Sequence, residues 1–391
     1  MRVLFYSRLS PFFHNKLGGA ETSSRLMSEN LAQVGHRVLY FSKQNEKSLL
    51  PIRAKKINGV KVIVLNDLSF GKLPIGRVFR SFDQILYKLV LLSILLFWKP
   101  NIIYTHYNYN VIKRFLAYRK KFNLSYKLVL RMAGLQWATR FRSNEANIRK
   151  WAGIFEKVDS VNFISAGLKR LYDNIWPSID KEPDLKHSFI HDIGVPVDLN
   201  NYRNLDRKKP IKLVMVSRFT TYQKRQDLLI QAFIEAENLS NLELVLIGAG
   251  PKKMDLEELV HKSKLSNIRF IEFMPQEKLW EFIGSADALV HTCDYEGLSK
   301  IIIESLSIGL PVFCSNVEPM KSYLRNNHTA ILVDNTVEDW KEVLQGLNNN
   351  KYDLNELATE GKNLANQKFN PAQNVYEYEK VFEKLIKEDS L

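Results

Sequence analysis

The sequence has no apolar run of the roughly 18 residues that a membrane-spanning helix needs; its longest, Leu89 to Trp98, has ten. A transmembrane segment is therefore not expected. Its two cysteines, Cys293 and Cys314, are too few for a disulfide framework and suit a reducing compartment as buried free thiols. Met1-Arg-Val-Leu-Phe-Tyr-Ser reads as a strand and lacks the apolar core of a signal peptide, so the expected location is cytoplasmic. Nowhere do two aspartates stand two residues apart, so no bridging Mg²⁺ is implied and neither a metal nor a cofactor is expected.

Acidic residues are also scarce, but only in one half. Residues 1–200 carry 32 Lys and Arg against 14 Asp and Glu, a balance of +18, whereas residues 201–391 carry 24 against 28, or −4. The net charge of +14 thus belongs to the first half. A field of that sign draws a domain toward anionic lipid head groups, a lipid-diphosphate acceptor or nucleic acid, unless it serves only solubility.

What is present is a chain of 391 residues, 45% hydrophobic, ample for burial and sized for two domains. It opens with a strand from Arg2 to Ser7, a helix from Gly18-Gly19-Ala20-Glu21 to about Val34, a stop at Gly35-His36 and a strand from Arg37 to Ser42. This βαβ unit implies a parallel sheet covered by helices. The Gly18-Gly19 pair lets backbone approach a ligand at the strand's end, or simply turns the chain. Val60 to Leu65, Asn101 to Thr105, Lys127 to Arg131 and Ser160 to Ser165 continue the sheet.

The stretch from Ile85 to Trp98 reads as a helix apolar on nearly all sides, hence a buried crossover helix. The alternative is a face pressed into a bilayer interface, helped by Lys72, Arg77, Arg80 and Lys99. His106 ends a strand, where a lone histidine is ordinarily structural or exposed. Beyond it Arg114, Arg119, Lys120, Lys121, Lys127, Arg131, Arg140, Arg142 and Arg149 interleave with Phe115, Tyr118, Trp137, Phe141 and Trp151. An acceptor or anionic membrane surface is preferred there over nucleic acid, because no nucleic-acid module surrounds the run.

After a polar linker from Asn200 to Pro210, strands at Ile211 to Ser217, Leu242 to Ile247, Ile268 to Phe273 and Ala286 to His291 alternate with helices, predicting a second doubly wound domain. Arg218 and Lys224 follow its first strand, where two cations suit a diphosphate. The second strand ends in Gly248-Ala-Gly250-Pro251.

The fourth strand leads into His291-Thr-Cys-Asp-Tyr-Glu296-Gly-Leu-Ser-Lys-Ile-Ile-Ile-Glu304, then Gly309-Leu-Pro311 and a further strand. Glu296 falls on the loop and Glu304 about two turns inside the helix. Between them the N–H groups of Gly297, Leu298 and Ser299 face the positive end of the helix dipole, which suits phosphate. A carboxylate there accepts hydrogen bonds from hydroxyls, such as those of a sugar or ribose. The plain alternative is two solvated glutamates around an ordinary βα turn.

Glu296-Gly-Leu, then Glu304 after seven residues, then Ser-Leu-Ser-Ile-Gly-Leu-Pro-Val resembles the signature of retaining GT-B glycosyltransferases of the glycogen synthase and sucrose synthase type, family 4. Gly-Gly-Ala-Glu near the start, Ser-Arg-Phe with Lys-Arg-Gln-Asp-Leu-Leu, Ile193-Gly-Val-Pro-Val-Asp198 and Phe369-Asn-Pro371 resemble the same family. The resemblance implies two Rossmann-like domains facing each other across a cleft, residues 1–199 and 200–370, with 371–391 crossing back to the first. It implies Glu296 and His106 at the transferred sugar, Glu304 at the ribose, and Arg218 and Lys224 at the leaving diphosphate. Gly18 and Gly19 would face donor phosphate and acceptor. Three positions depart from the family: Leu298-Ser299-Lys300 replace an aromatic-Gly pair, Arg225 stands for the glycine after the lysine, and Ala133 for a second histidine.

The implied protein is a retaining, metal-independent transferase using a nucleotide-diphosphate sugar and a saccharide or lipid-linked saccharide acceptor for surface polysaccharide. Peripheral contact with the inner face of the cytoplasmic membrane fits its basic half. A GT-B nucleotide-sugar epimerase or hydrolase shares the fold, and a non-catalytic binding protein using the basic half is the alternative from another class.

Overall fold

Apolar runs bounded by charged or polar residues or glycine make the strands. Those of the first half are β1 (Arg2–Ser7), β2 (Arg37–Lys47), β3 (Ile52–Ile57), β4 (Val60–Asp67), β5 (Ile102–His106), β6 (Lys127–Met132), β7 (Ser160–Phe163) and β8 (Ser188–Ile190). Those of the second are β9 (Ile211–Val216), β10 (Leu242–Ile247), β11 (Ile268–Ile271), β12 (Ala288–His291), β13 (Val312–Ser315) and β14 (Ile331–Val333). The computed structural model describes residues 1–13, 19–47, 52–67, 76–134, 145–176, 182–196, 210–220 and 223–388. Gly18, Lys72, Trp137, Arg140, Phe141, Arg142 and linker residues 200–209 lie outside the described residues, and of Arg77 and Arg80 only the backbone is described.

Among the described residues the strands form an eight-stranded sheet in the order β3-β4-β2-β1-β5-β6-β7-β8 and a six-stranded sheet in the order β11-β10-β9-β12-β13-β14. The β3–β4 pair is antiparallel and the other pairings are parallel. Each sheet belongs to its own unit: Met1–Ile193 with Pro371–Leu391, and Gly194–Asn370. Both are doubly wound, so chain order reverses at one point in each sheet. In the first the reversal lies between β1 and β5, and in the second between β9 and β12. There the loops beyond the two strand ends diverge and leave room for a ligand.

Helix Pro371–Lys387 repeats apolar residues at helical spacing. Val375, Tyr378, Phe382 and Leu385 join the core of the first unit with Val3, Phe5, Tyr104 and Val129. Tyr378 meets Tyr104 edge to face, ring centroids 6.2 Å apart.

Two features differ from the sequence expectations. The helix expected from Ile85 to Trp98 begins at Gly76, runs to Ser93 and widens into a π-helical turn, Ile94–Trp98. It is buried on one face only: Tyr87, Leu91, Ile94 and Leu95 are in the core, while Ile85, Leu89 and Phe97 are exposed. An even spread of leucine and isoleucine around the helix hides this asymmetry in the sequence. Strands β8 and β14 are not among those expected, and neither is β3. Its Arg53, Lys55 and Lys56 break the apolar pattern because it is an edge strand, and Asn58-Gly59, with φ of +46° and +82°, turns it into β4.

Candidate functional site

In the second unit, β9 and β12 pair in parallel with Leu289 opposite Val214, which brings the loops after both strands together. They are tied by backbone and side chain. Asp294 N–H donates to the Gln223 carbonyl at 3.0 Å, and Thr292 Oγ1 donates to the carbonyls of Arg225 and Lys224 at 2.7 and 3.1 Å. Arg225 holds a left-handed backbone, φ +40°, and its guanidinium reaches Asp294 at 2.9 Å. A second strap comes from the neighbouring strands. Ser315 Oγ accepts from Cys293 N–H at 2.9 Å and donates to Asn335 Oδ1, whose Nδ2 donates to the Cys293 carbonyl at 2.8 Å.

This frame places Lys224 Nζ directly on Glu296 Oε1. The same oxygen lies 3.3 Å from His291 Nε2, which is also 3.4 Å from Ser299 Oγ. Burial would raise the Glu296 carboxyl, but the Lys224 ammonium and the His291 hydrogen bond outweigh it and hold the pKa at about 2. Burial lowers the pKa of His291, so the neutral ring donates from Nε2; its buried Nδ1 has no partner among the described residues. The sequence reading gave His291 no role. The signal was a histidine closing an apolar strand, five residues before Glu296.

Helix Lys300–Ile308 starts at Ser299 and stops at Gly309, φ +82°. Gly297 and Leu298 form the turn into it, with Leu298 buried. One turn into the helix Glu304 is also buried, and Gln276 Nε2 donates to its Oε2 at 3.0 Å. Burial pushes its carboxyl up to about 7. Gly250 is demanded by packing: a Cβ there would sit 2.2 Å from the Phe219 carbonyl oxygen, and one at Gly248 would sit 1.9 Å from that of Ser217. Between those two contacts lies Arg218, whose side chain is exposed and whose carbonyl accepts from Gln226 Nε2 at 2.9 Å. The structure therefore brings Lys224 and Glu296 into contact, with Ser299 beside them, while Arg218 stands in the solvent at the end of β9.

In the first unit, Gly19 begins helix Gly19–Gln33 beyond β1, and His106 closes β5. Ser24 Oγ donates to the Ala20 carbonyl at 3.0 Å and lies 2.9 Å from His106 Nε2 and 3.3 Å from Arg131 Nη1. Arg131 is buried and paired with Asp192 at 3.0 Å. Burial, then the Arg131 charge, lower the His106 pKa to about 3, so the ring is neutral. Arg131, expected on the basic surface, is instead buried against Asp192, while Ser24 and Asp192 carried no sequence signal, because buried polar partners are spaced by the fold rather than by the chain. Among the described residues no three His, Cys, Asp or Glu side chains cluster as metal ligands do.

Residues 200–364, which hold Arg218, Lys224, Gly250, His291, Glu296 and Glu304, match the family model for glycosyl transferases group 1. The match covers somewhat less than half of the chain. The group 1 region is also part of a wider likeness. An uncharacterized glycosyltransferase of Methanocaldococcus jannaschii is 24% identical over 274 residues, which make up 67% of this chain and 65% of that protein. The chain thus spans just under two thirds of that relative's length. Among solved structures, sucrose-phosphate synthase from Thermosynechococcus elongatus superposes with a TM-score of 0.76 at 16% identity, covering 98% of both chains. Anabaena HepE in complex with UDP and glucose gives 0.72 at 14% identity, covering 98% of this chain and 100% of that one. At such identities the likeness is one of fold, and the fold is GT-B.

Proposed function

We propose that the chain is a retaining glycosyltransferase that moves a sugar from a nucleotide-diphosphate donor to a saccharide or lipid-linked saccharide acceptor in surface polysaccharide synthesis, without metal or cofactor. The observation that carries this reading is the contact of Lys224 with Glu296 where β9 and β12 reverse the chain order, inside the group 1 region. A cation and a carboxylate joined at a helix N-terminus are equipped for a substrate that is a diphosphate at one end and a polyol at the other.

In this reading Lys224, Arg218 and the N–H groups of Gly297, Leu298 and Ser299 stabilise the diphosphate as the glycosidic C–O bond breaks and negative charge grows on the leaving oxygen. Glu296 orients the transferred sugar through its hydroxyls, and neutral His106 supplies a further hydrogen bond. Glu304 takes the ribose hydroxyls. Gly18, Gly19 and Gly250 let backbone approach the donor. The acceptor hydroxyl attacks from the face the diphosphate leaves, and its proton passes to the departing oxygen, so configuration at the anomeric carbon is kept.

A panel of UDP-, GDP- and ADP-sugars tests the donor by thermal shift, and the UDP and glucose in the HepE structure put UDP-glucose first. A donor at 100 times its Kd adds about 2.7 kcal/mol of stability. Donor-specific stabilisation with acceptor-stimulated release of nucleoside diphosphate is the expected outcome. No response to any donor would sink the reading, and release that no acceptor stimulates would point to an epimerase or hydrolase. Lys224→Ala should lower turnover by about 10² or more; near-normal transfer contradicts its role.

A further inference from the structure

Helix Gly76–Ser93 and the π-helical turn Ile94–Trp98 are claimed by the core on one face only. Tyr87 stacks on Phe41, centroids 5.8 Å apart, and the Arg114 guanidinium lies 4.9 Å from the centre of the Tyr87 ring. On the other face Ile85, Leu89 and Phe97 are 53%, 58% and 83% exposed. Positions 85, 89, 93 and 97 recur at the four-residue spacing that keeps side chains on one side of a helix, with exposed Ser93 between Leu89 and Phe97. These three are a third of the nine large apolar side chains exposed among the described residues. Lone exposed apolar residues are ordinary; a row along one helix is not.

The exposed charges described beside this row and on the neighbouring helix have one sign, while Asp83 on the same helix is buried and Arg119 and Arg131 are paired with Asp159 and Asp192. From Gln84 to Asn144 the sequence holds eleven Lys and Arg and no Asp or Glu. Lys88 and Lys99 are exposed beside the apolar row, and Lys113, Lys120 and Lys121 are exposed on helix Tyr109–Lys121, whose Arg114 reaches over to Tyr87. No helix among the described residues is long and apolar enough to cross a membrane, so any lipid contact by these helices is peripheral.

We propose that this face lies on an anionic lipid bilayer, with Ile85, Leu89 and Phe97 at the level where head groups meet acyl chains and the lysines among the phosphates. A second copy of the chain would set one acid-free basic surface against another. Nucleic acid would set phosphates against the three apolar side chains at the centre of the patch. The bilayer alone offers an apolar layer under an anionic one. This inference is independent of sugar transfer and needs no donor or acceptor.

The full chain is floated with vesicles of phosphatidylcholine alone and of phosphatidylcholine mixed with phosphatidylglycerol, at low and raised salt. The chain should rise with the mixed vesicles at low salt and stay down with the neutral ones. Lys88→Gln should weaken binding about fivefold, the value of roughly 1 kcal/mol per cation. The double variant Leu89→Gln/Phe97→Gln should stay down with its melting temperature unchanged, since both side chains already face solvent. Three results overturn the proposal: wild type failing to float with anionic vesicles at low salt, the double variant floating like wild type, or a dimer in solution that the double variant abolishes, which gives the face to a second copy.

Discussion

Glu304 sets the pH behaviour of the second unit. Burial pushes its carboxyl up to about 7 despite hydrogen bonds from Trp280 and Gln276 and the charge of Lys300, against an ordinary 4.5. The native chain therefore keeps a proton that the unfolded chain loses between about pH 4.5 and 7. Stability tied to this group is whole below that window and falls as pH rises through it, by roughly 3 kcal/mol for a shift of this size. Denaturant unfolding at about pH 5 and about pH 8 checks this: Glu304→Gln should flatten the difference, and an undiminished difference counts against it. Glu296 works in the opposite sense, since its pKa is held down at about 2. Its contribution is present above the unfolded value and is lost as pH falls through about 2. His106, its pKa lowered to about 3, stays neutral throughout the Glu304 window. Because Ser24 Oγ gives its single proton to Ala20, it accepts from His106, which is then protonated at Nε2 and offers Nδ1 as an acceptor. Isotope-labelled histidine in NMR should show that tautomer, neutral throughout the range about pH 5 to 8; a ring that titrates there contradicts it.

At the scale of elements, the loop bearing Glu296 is held from outside itself. Asn335, just beyond β14, accepts from Ser315 and donates to the Cys293 carbonyl. Asn335→Ala removes these bonds and a longer one to Asp294 Oδ1 at 3.3 Å, and should cost about 1–3 kcal/mol in urea unfolding, with turnover falling more than donor affinity; unchanged stability would mean that the strap is idle. None of this was legible in the sequence, since an asparagine after a short apolar strand is ordinary loop composition. What was legible was local. Arg2–Ser7 and Leu242–Ile247 match the expected strands residue for residue, because charge or glycine closes each apolar run. Other strand ends moved by up to five residues, as with β2, expected to stop at Ser42 and observed to Lys47, because the partner strand sets where pairing stops. The turn Asn58-Gly59 is the one signal for β3 that the sequence carries. Lys224 and Glu296 could be singled out from motif spacing, and His291 from its place five residues before Glu296, whereas the Ser24–Arg131–Asp192 cluster could not, because its members lie far apart in the chain.

At the scale of the whole molecule, the first unit is assembled from both ends of the described chain. Phe382 is fully buried among residues from the N-terminal strands. Phe382→Ala should cost about 3–5 kcal/mol and lower the unfolding temperature of the first unit alone, so calorimetry should resolve one moved transition and one fixed; two transitions shifting together would contradict that. The charge division runs along the same lines, since the basic half of the sequence supplies all eight strands of the first sheet.

Because helix Pro371–Lys387 completes a core begun at Val3, order of synthesis and order of completion are reversed. Residues 194–370 have every strand they need before translation reaches the closing helix. The nascent N-terminal sheet, though made first, keeps an uncovered apolar flank until the final turns emerge from the ribosome, and over that interval it is the part of the chain most in need of a chaperone.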